Sequence, residues 1–132
     1  MSEFIQLVKL NNKFLTLEII KNFSLLILNI KSHTTLYFIF SQNMINQIID
    51  NNFDRQDDDF TFYYINFLKS LSLKISTTTI DFFFNERHNT FPLLNAALGY
   101  YNYPDNMIKN TVRNIILTII KCKNFLLMIS KL

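Results

Sequence analysis

Apolar residues recur at helical spacing along most of this chain. From about Lys13 to Asn29, Leu15, Ile19, Phe23, Leu26, Ile27 and Ile30 return every three or four positions and predict a long helix. Leu17, Ile20, Leu25 and Leu28 fill a second face, which predicts that this helix is covered on more than one side. Ahead of it, Ser2 to Leu10 is a first predicted helix, broken by Asn11-Asn12. Ser32 can cap a short helix ending near Phe40, because its hydroxyl can accept an early backbone N–H. Ser41 is expected to open another, through Met44, Ile45, Ile48 and Ile49. Asp50 to Asp59 is the most polar stretch and predicts a loop whose aspartates cap the following helix, where negative charge is favoured.

That following helix, Asp58 to Ile75, carries a stripe of Phe60, Tyr63, Tyr64, Phe67, Leu68 and Leu71, with Phe62, Ile65 and Leu73 outside it. Thr77 or Thr78 can cap a further helix through Ile80 and Phe82 to Phe84, although the β-branched and aromatic residues from Ile75 to Phe84 also suit a strand. One more helix follows Pro92 and a last one follows Pro104, since proline fits a first helical turn that does not need its N–H. Short loops and helices apolar on two faces predict an all-α fold of layered antiparallel pairs, about six to eight helices in an irregular armadillo/HEAT-like stack. Pro104-Asp105 followed by Ile108, Val112-Arg113 and Ile116 resembles the second-helix pattern of HEAT-like repeats, but no clean internal repeat is present. The first and last helices of such a stack are open ends that need neighbours.

Composition narrows the class. A chain of 132 residues that is 49% hydrophobic can bury one core and folds as one domain or part of one. One Gly and two Pro are too few for a turn-rich β sandwich or barrel. Heavy use of Ile, Asn, Lys and Phe is what an AT-rich genome produces, so the Asn runs carry no functional weight. The net charge of +3 is spread along the chain and leaves no nucleic-acid footprint. Cys122, the single cysteine, rules out an internal disulfide and suits a reducing compartment. Glu3 sits where a signal peptide needs positive charge, so secretion is not expected. Phe14 to Ile30 is interrupted by Glu18, Lys21 and Asn22, and Thr111 to Ile129 by Arg113, Lys121 and Lys123, so both read as helices buried in protein rather than as membrane spans.

The candidate chemistry is sparse. His33, His88 and Cys122 lack the paired spacing of a zinc site, and Asp57-Asp58-Asp59 lacks the glycine and terminal glutamate of a calcium loop. No metal or cofactor is therefore expected. Lys121 and Lys123 could lower the pKa of Cys122, yet no histidine partner set accompanies it. Gly99 is the only glycine, which leaves no phosphate-binding loop, and nothing favours a pair of catalytic carboxylates. Tyr100, Tyr101 and Tyr103 near Lys109 and Arg113 are a weak version of a nucleic-acid surface that core packing explains as well. Lys109, Arg113, Lys121 and Lys123 concentrate late in the chain, a marginal basic surface for anionic lipid. No enzyme activity, nucleic-acid partner or small-molecule substrate is expected. There remains the loop Asn85-Glu86-Arg87-His88-Asn89-Thr90 ahead of Phe91-Pro92-Leu93. Pro92 disfavours helix at Phe91 and fixes a sharp entry into the next helix, with Phe91 as an apolar staple one turn ahead. That is a sufficient structural reading; the functional one has the loop present Glu86 and its neighbours to a protein partner.

The ordered pieces Tyr63-Tyr64, Phe67-Leu68-Lys69, Leu71-Ser72-Leu73-Lys74, Phe82-Phe83, Asn85-Glu86 and Phe91-Pro92-Leu93 resemble the FPL-domain family of eukaryotic endosomal and autophagy regulators. Asn102, Pro104, Met107 and Val112-Arg113 fit the same pattern, as do Thr35-Leu36-Tyr37 and Ile48-Ile49 less distinctively. The resemblance spans residues 1–121, taken as an FPL-like helical domain, and leaves 122–132 as a divergent tail. It implies a non-enzymatic scaffold that acts by protein–protein contact in endosome-to-lysosome vesicle trafficking and autophagy. Rab GTPases or tethering-complex components are the implied partners, and the implied location is cytoplasmic and peripheral on endosomal or Golgi membranes. Asn85, Glu86, Phe91, Pro92, Leu93 and Arg113 are the partner-binding candidates. Family members are much longer, so a truncated fragment without independent function is an alternative expectation. A component of a ubiquitin-ligase complex is another, although no cysteine-and-histidine pattern allows a RING ligase.

Overall fold

A computed structural model of the chain describes residues 13–50, 58–84, 87 and 90–122. Among these residues there are six α-helices and no strand: α1 (Lys13–Asn29), α2 (His33–Ser41), α3 (Met44–Ile49), α4 (Asp58–Lys74), α5 (Pro92–Leu98) and α6 (Asn106–Ile120). A single 3-10 turn, Ile80–Phe83, lies between α4 and α5. The all-α expectation is met. The helix expected over Ser2 to Leu10, most of the loop from Asp50 to Asp59, and the tail beyond Cys122 lie outside the described residues.

Several boundaries follow from capping chemistry. The Ser32 hydroxyl accepts the Thr35 N–H at 3.3 Å and starts α2 as the sequence predicts. Ser41 does not start α3; it closes α2, and its hydroxyl donates back to the Phe38 carbonyl at 2.8 Å. A hydroxyl engaged with its own preceding turn cannot cap the next helix, so α3 begins after Asn43. Pro104 likewise stands one residue before the cap instead of inside the first turn of α6. The cap is Asp105, whose carboxylate accepts the Met107 and Ile108 N–H groups at 2.8 and 3.1 Å. Thr77 and Thr78 head no helix. Thr79 accepts the Ser76 N–H at 3.0 Å, which closes a turn backwards, and the chain then manages only the 3-10 turn.

α4 is the central element, packed against α1 on one side and α6 on the other. α1 and α4 run in the same direction. Lys21, midway along α1, meets Tyr63 in the first half of α4, with its ammonium 4.3 Å from the ring centroid. Late in both, Lys74 Nζ donates to the Ile30 carbonyl at 3.0 Å. α4 and α6 also share a direction, since Asp58 and Phe62 lie beside Met107 and Ile108. Parallel neighbours require return segments, and α2 with α3, then the 3-10 turn with α5, supply them as a second layer. That layer is held by edge-on ring contacts of Phe40 with Phe83 and Tyr37 with Phe82. It is also held by Asn46 Nδ2, which donates to the Phe82 carbonyl at 2.7 Å.

The core lies between the layers. α1 contributes Thr16, Ile19, Ile20, Phe23 and Ile27, and α4 contributes Phe60, Tyr64, Ile65, Phe67, Leu68 and Leu71. Ile65, read from the sequence as outside the α4 stripe, is buried, because α4 has neighbours on two flanks and needs a wider apolar arc than one stripe. Each such large side chain stabilises the fold by about 1.5–3 kcal/mol when fully enclosed. The second face of α1 divides: Ile20 is fully buried and Leu17 half-buried against the core, as expected, whereas Leu25 and Leu28 are not covered but exposed.

Candidate functional site

The signature tripeptide is structural in its placement. Phe91 caps α5, Pro92 occupies its first turn, and all three of Phe91, Pro92 and Leu93 are buried. Proline has no N–H to leave unpaired at that position and pre-sets the helical φ. The α5 hairpin with α6 then drives Leu93 and Ala97 into the core. These three side chains therefore hold the α5 entry rather than a surface. Asn85 and Glu86 lie outside the described residues. Arg113 is exposed on α6, with its guanidinium 5.4 Å from the Tyr101 ring centroid, a cation–π pairing. The structure thus gathers the tripeptide in the core and leaves Arg113 on the outer face of α6.

Three depressions bear on function. At the N-terminal ends of α4 and α6, Asp58, Asp59, Phe62, Tyr103, Asp105, Met107 and their neighbours surround a space of about 760 Å³. Two of its carboxylates already have partners: Asp105 caps α6, and Asp58 accepts the Tyr103 hydroxyl. The hydrogen bond to the Asp58 carboxylate holds the Tyr103 phenol above its ordinary value of 10.0. Beside the start of α2, a polar notch of about 370 Å³ is lined by His33, Thr34, Tyr37, Lys74, Ser76 and Thr78. Its lysine is the one that tethers α1, and its hydroxyls bond among themselves, with Ser76 2.8 Å from Thr78.

The third depression runs between α1 and α4 and holds about 450 Å³. Leu25, Leu28 and Leu73 form its apolar walls, with Lys21, Tyr63, Asn66 and Lys69 at its edges. Ser24 and Ser70 also line it, but each hydroxyl donates to its own helix, to the Ile20 and Asn66 carbonyls at 2.9 Å. The trough is therefore apolar in effect. Leu25, Leu28 and Leu73 are 59%, 44% and 57% exposed. The sequence held the signal for this surface, a second apolar face on α1 and a Leu73 off the α4 stripe. Periodicity reports such a face without saying whether anything covers it.

Among the described residues, no group of three or more His, Cys, Asp or Glu is placed to hold a metal, and no helix is long and apolar enough to cross a membrane. Cys122 is half-buried just past α6.

Comparison with known proteins gives the chain its relatives. A protein named CLEC16A homolog from Caenorhabditis elegans is 40% identical over 121 residues, 92% of this chain and 14% of the relative. Its Drosophila melanogaster namesake is 41% identical over 113 residues, 86% of this chain and 11% of the relative. Human CLEC16A is 37% identical over 111 residues, 84% of this chain and 10% of the relative. The chain thus spans only a small part of the length of these proteins. No solved structure matches it. Residues 1–120 match the FPL family, described as an uncharacterised conserved protein, and the chain belongs to that family.

Proposed function

We propose that the chain is a non-enzymatic helical scaffold of the endosomal–lysosomal trafficking and autophagy machinery, working by protein–protein contact. The observation that carries this reading is family membership across residues 1–120, together with relatives at 37–41% identity over most of the chain. The fold supports it: same-direction helices α1, α4 and α6, joined by a second layer of short helices, suit an irregular armadillo/HEAT-like module. Such modules serve as extended binding surfaces. The partners in this reading are Rab GTPases or tethering-complex subunits. Attachment to endosomal membranes is peripheral and indirect. Arg113, exposed on α6, is a contact candidate in this reading, as are Asn85 and Glu86 in the segment ahead of the buried Phe91-Pro92-Leu93 turn.

The test is proximity labelling in the native cell with the chain fused to a biotin ligase. Enrichment of endosomal, Rab or tethering proteins over an unrelated helical control is the expected outcome. Labelling indistinguishable from the control ends this reading.

A further inference from the structure

We infer that the trough between α1 and α4 is a docking groove for an acidic amphipathic helix of a protein partner. The inference deepens the scaffold reading and rests on it for the class of partner, but it makes its own claim about surface and chemistry. Three observations carry it. Leu25, Leu28 and Leu73 line a space of about 450 Å³ and stay exposed, although Leu68 and Leu71 of α4 and Ile20 and Ile27 of α1 are fully buried. Apolar side chains clustered in one exposed groove mark an interaction site more often than scattered ones do.

The walls have the right shape. The lining runs from Lys21 to Leu28 on α1 and from Tyr63 to Leu73 on α4. At 1.5 Å per residue these stretches are roughly 10 to 15 Å long. That length accepts about two to three turns of a third helix, which would anchor through residues at i, i+4 and i+7.

The edges are cationic. Lys21 and Lys69 flank the groove and no aspartate or glutamate lines it. Lys21 is already pinned, 3.3 Å from Glu18 and over the Tyr63 ring. Lys69 is exposed and has no ion pair among the described residues, which makes it the group that a carboxylate on the incoming helix would meet. Charge at such a rim selects partners and speeds encounter more than it adds affinity. The occupant is therefore a helix with leucine-like anchors on one face and glutamates or aspartates beside them.

The experiment uses the whole 132-residue chain and fluorescein-labelled designed helical peptides in an anisotropy titration. One peptide carries leucines at i, i+4 and i+7 with flanking glutamates, a second replaces the glutamates by lysines, and a third scrambles the leucines. The glutamate peptide should bind at least tenfold more tightly than either of the others. Leu28→Glu should abolish its binding, and Lys69→Glu should reverse the preference toward the lysine peptide. Circular dichroism melts of both variants, whose substituted side chains are exposed, check that folding is kept. Equal binding of the glutamate and lysine peptides, or no change with Lys69→Glu, overturns the proposal. It is equally overturned if none of the peptides binds while L28E abolishes co-sedimentation with phosphatidylserine vesicles or a dimer seen by ultracentrifugation. Those outcomes make the groove a lipid or self-association surface. Failure here with positive proximity labelling sinks the groove alone. Success here with negative labelling sinks the trafficking role alone.

Discussion

Leu93 and Leu28 are the same residue type in the same small chain, and one is completely enclosed while the other is 44% exposed. Leu93 sits at the start of α5, where the proline-fixed entry and the α6 hairpin bring neighbours from both layers onto it. Leu28 lies near the end of α1 on the face away from the core, facing a trough and not a helix. The difference teaches that apolar periodicity specifies a face, while tertiary neighbours decide whether that face is core or contact surface. One region spends its apolar residues on stability; the other keeps them available.

Substitutions separate the two regions by magnitude. Phe67→Ala, in the fully enclosed centre of α4, should destabilise the fold by about 3–5 kcal/mol, read by urea denaturation. A loss under about 1 kcal/mol would mean that α4 is not the core element described above. Tyr64→Phe removes a buried hydroxyl that donates to the Ile49 carbonyl at 2.8 Å and should cost about 1–3 kcal/mol, since the carbonyl loses its partner. The same denaturation series reads it. Asp105→Ala removes the α6 cap and should cost about 1 kcal/mol, with Asp105→Asn retaining most of it. Last, Leu28→Glu should change stability by no more than about 0.5 kcal/mol, because an exposed site away from caps and core has little to lose. A large loss there would place Leu28 in the core and erase the contrast with Leu93.

Much of the fold was legible. The span of α1, the Ser32 cap and the long α4 could be read from residue type and spacing, because capping hydroxyls and three-to-four periodicity are local properties. The misreadings share a cause. Ser41, Thr77 and Thr78 are all capable cap residues by chemistry, but Ser41 bonds backward along the chain and Thr79 closes the turn that Thr77 and Thr78 occupy. Direction of bonding is not written in composition. Ile65 falls outside the stripe by spacing alone, because the arc that α4 buries depends on having two flanking helices at once. The site was less legible than the fold. The tripeptide that carries the family resemblance is a packing device, whereas the groove residues Leu25, Leu28 and Leu73 were visible only as surplus hydrophobicity.

The Lys74 tether sits at the C-terminal end of the α1–α4 pair and the Lys21 contact near its middle, and together they limit how these helices can slide. A one-turn slip is about 5.4 Å, enough to carry Lys74 past the Ile30 carbonyl and Lys21 off the Tyr63 ring together. Both would have to break before either helix found a new register. Packed helices can shift by such shear, and here the sliding mode is held at two points along the pair. The length of the trough between the two helices is therefore tied to their register, which these two lysine contacts hold.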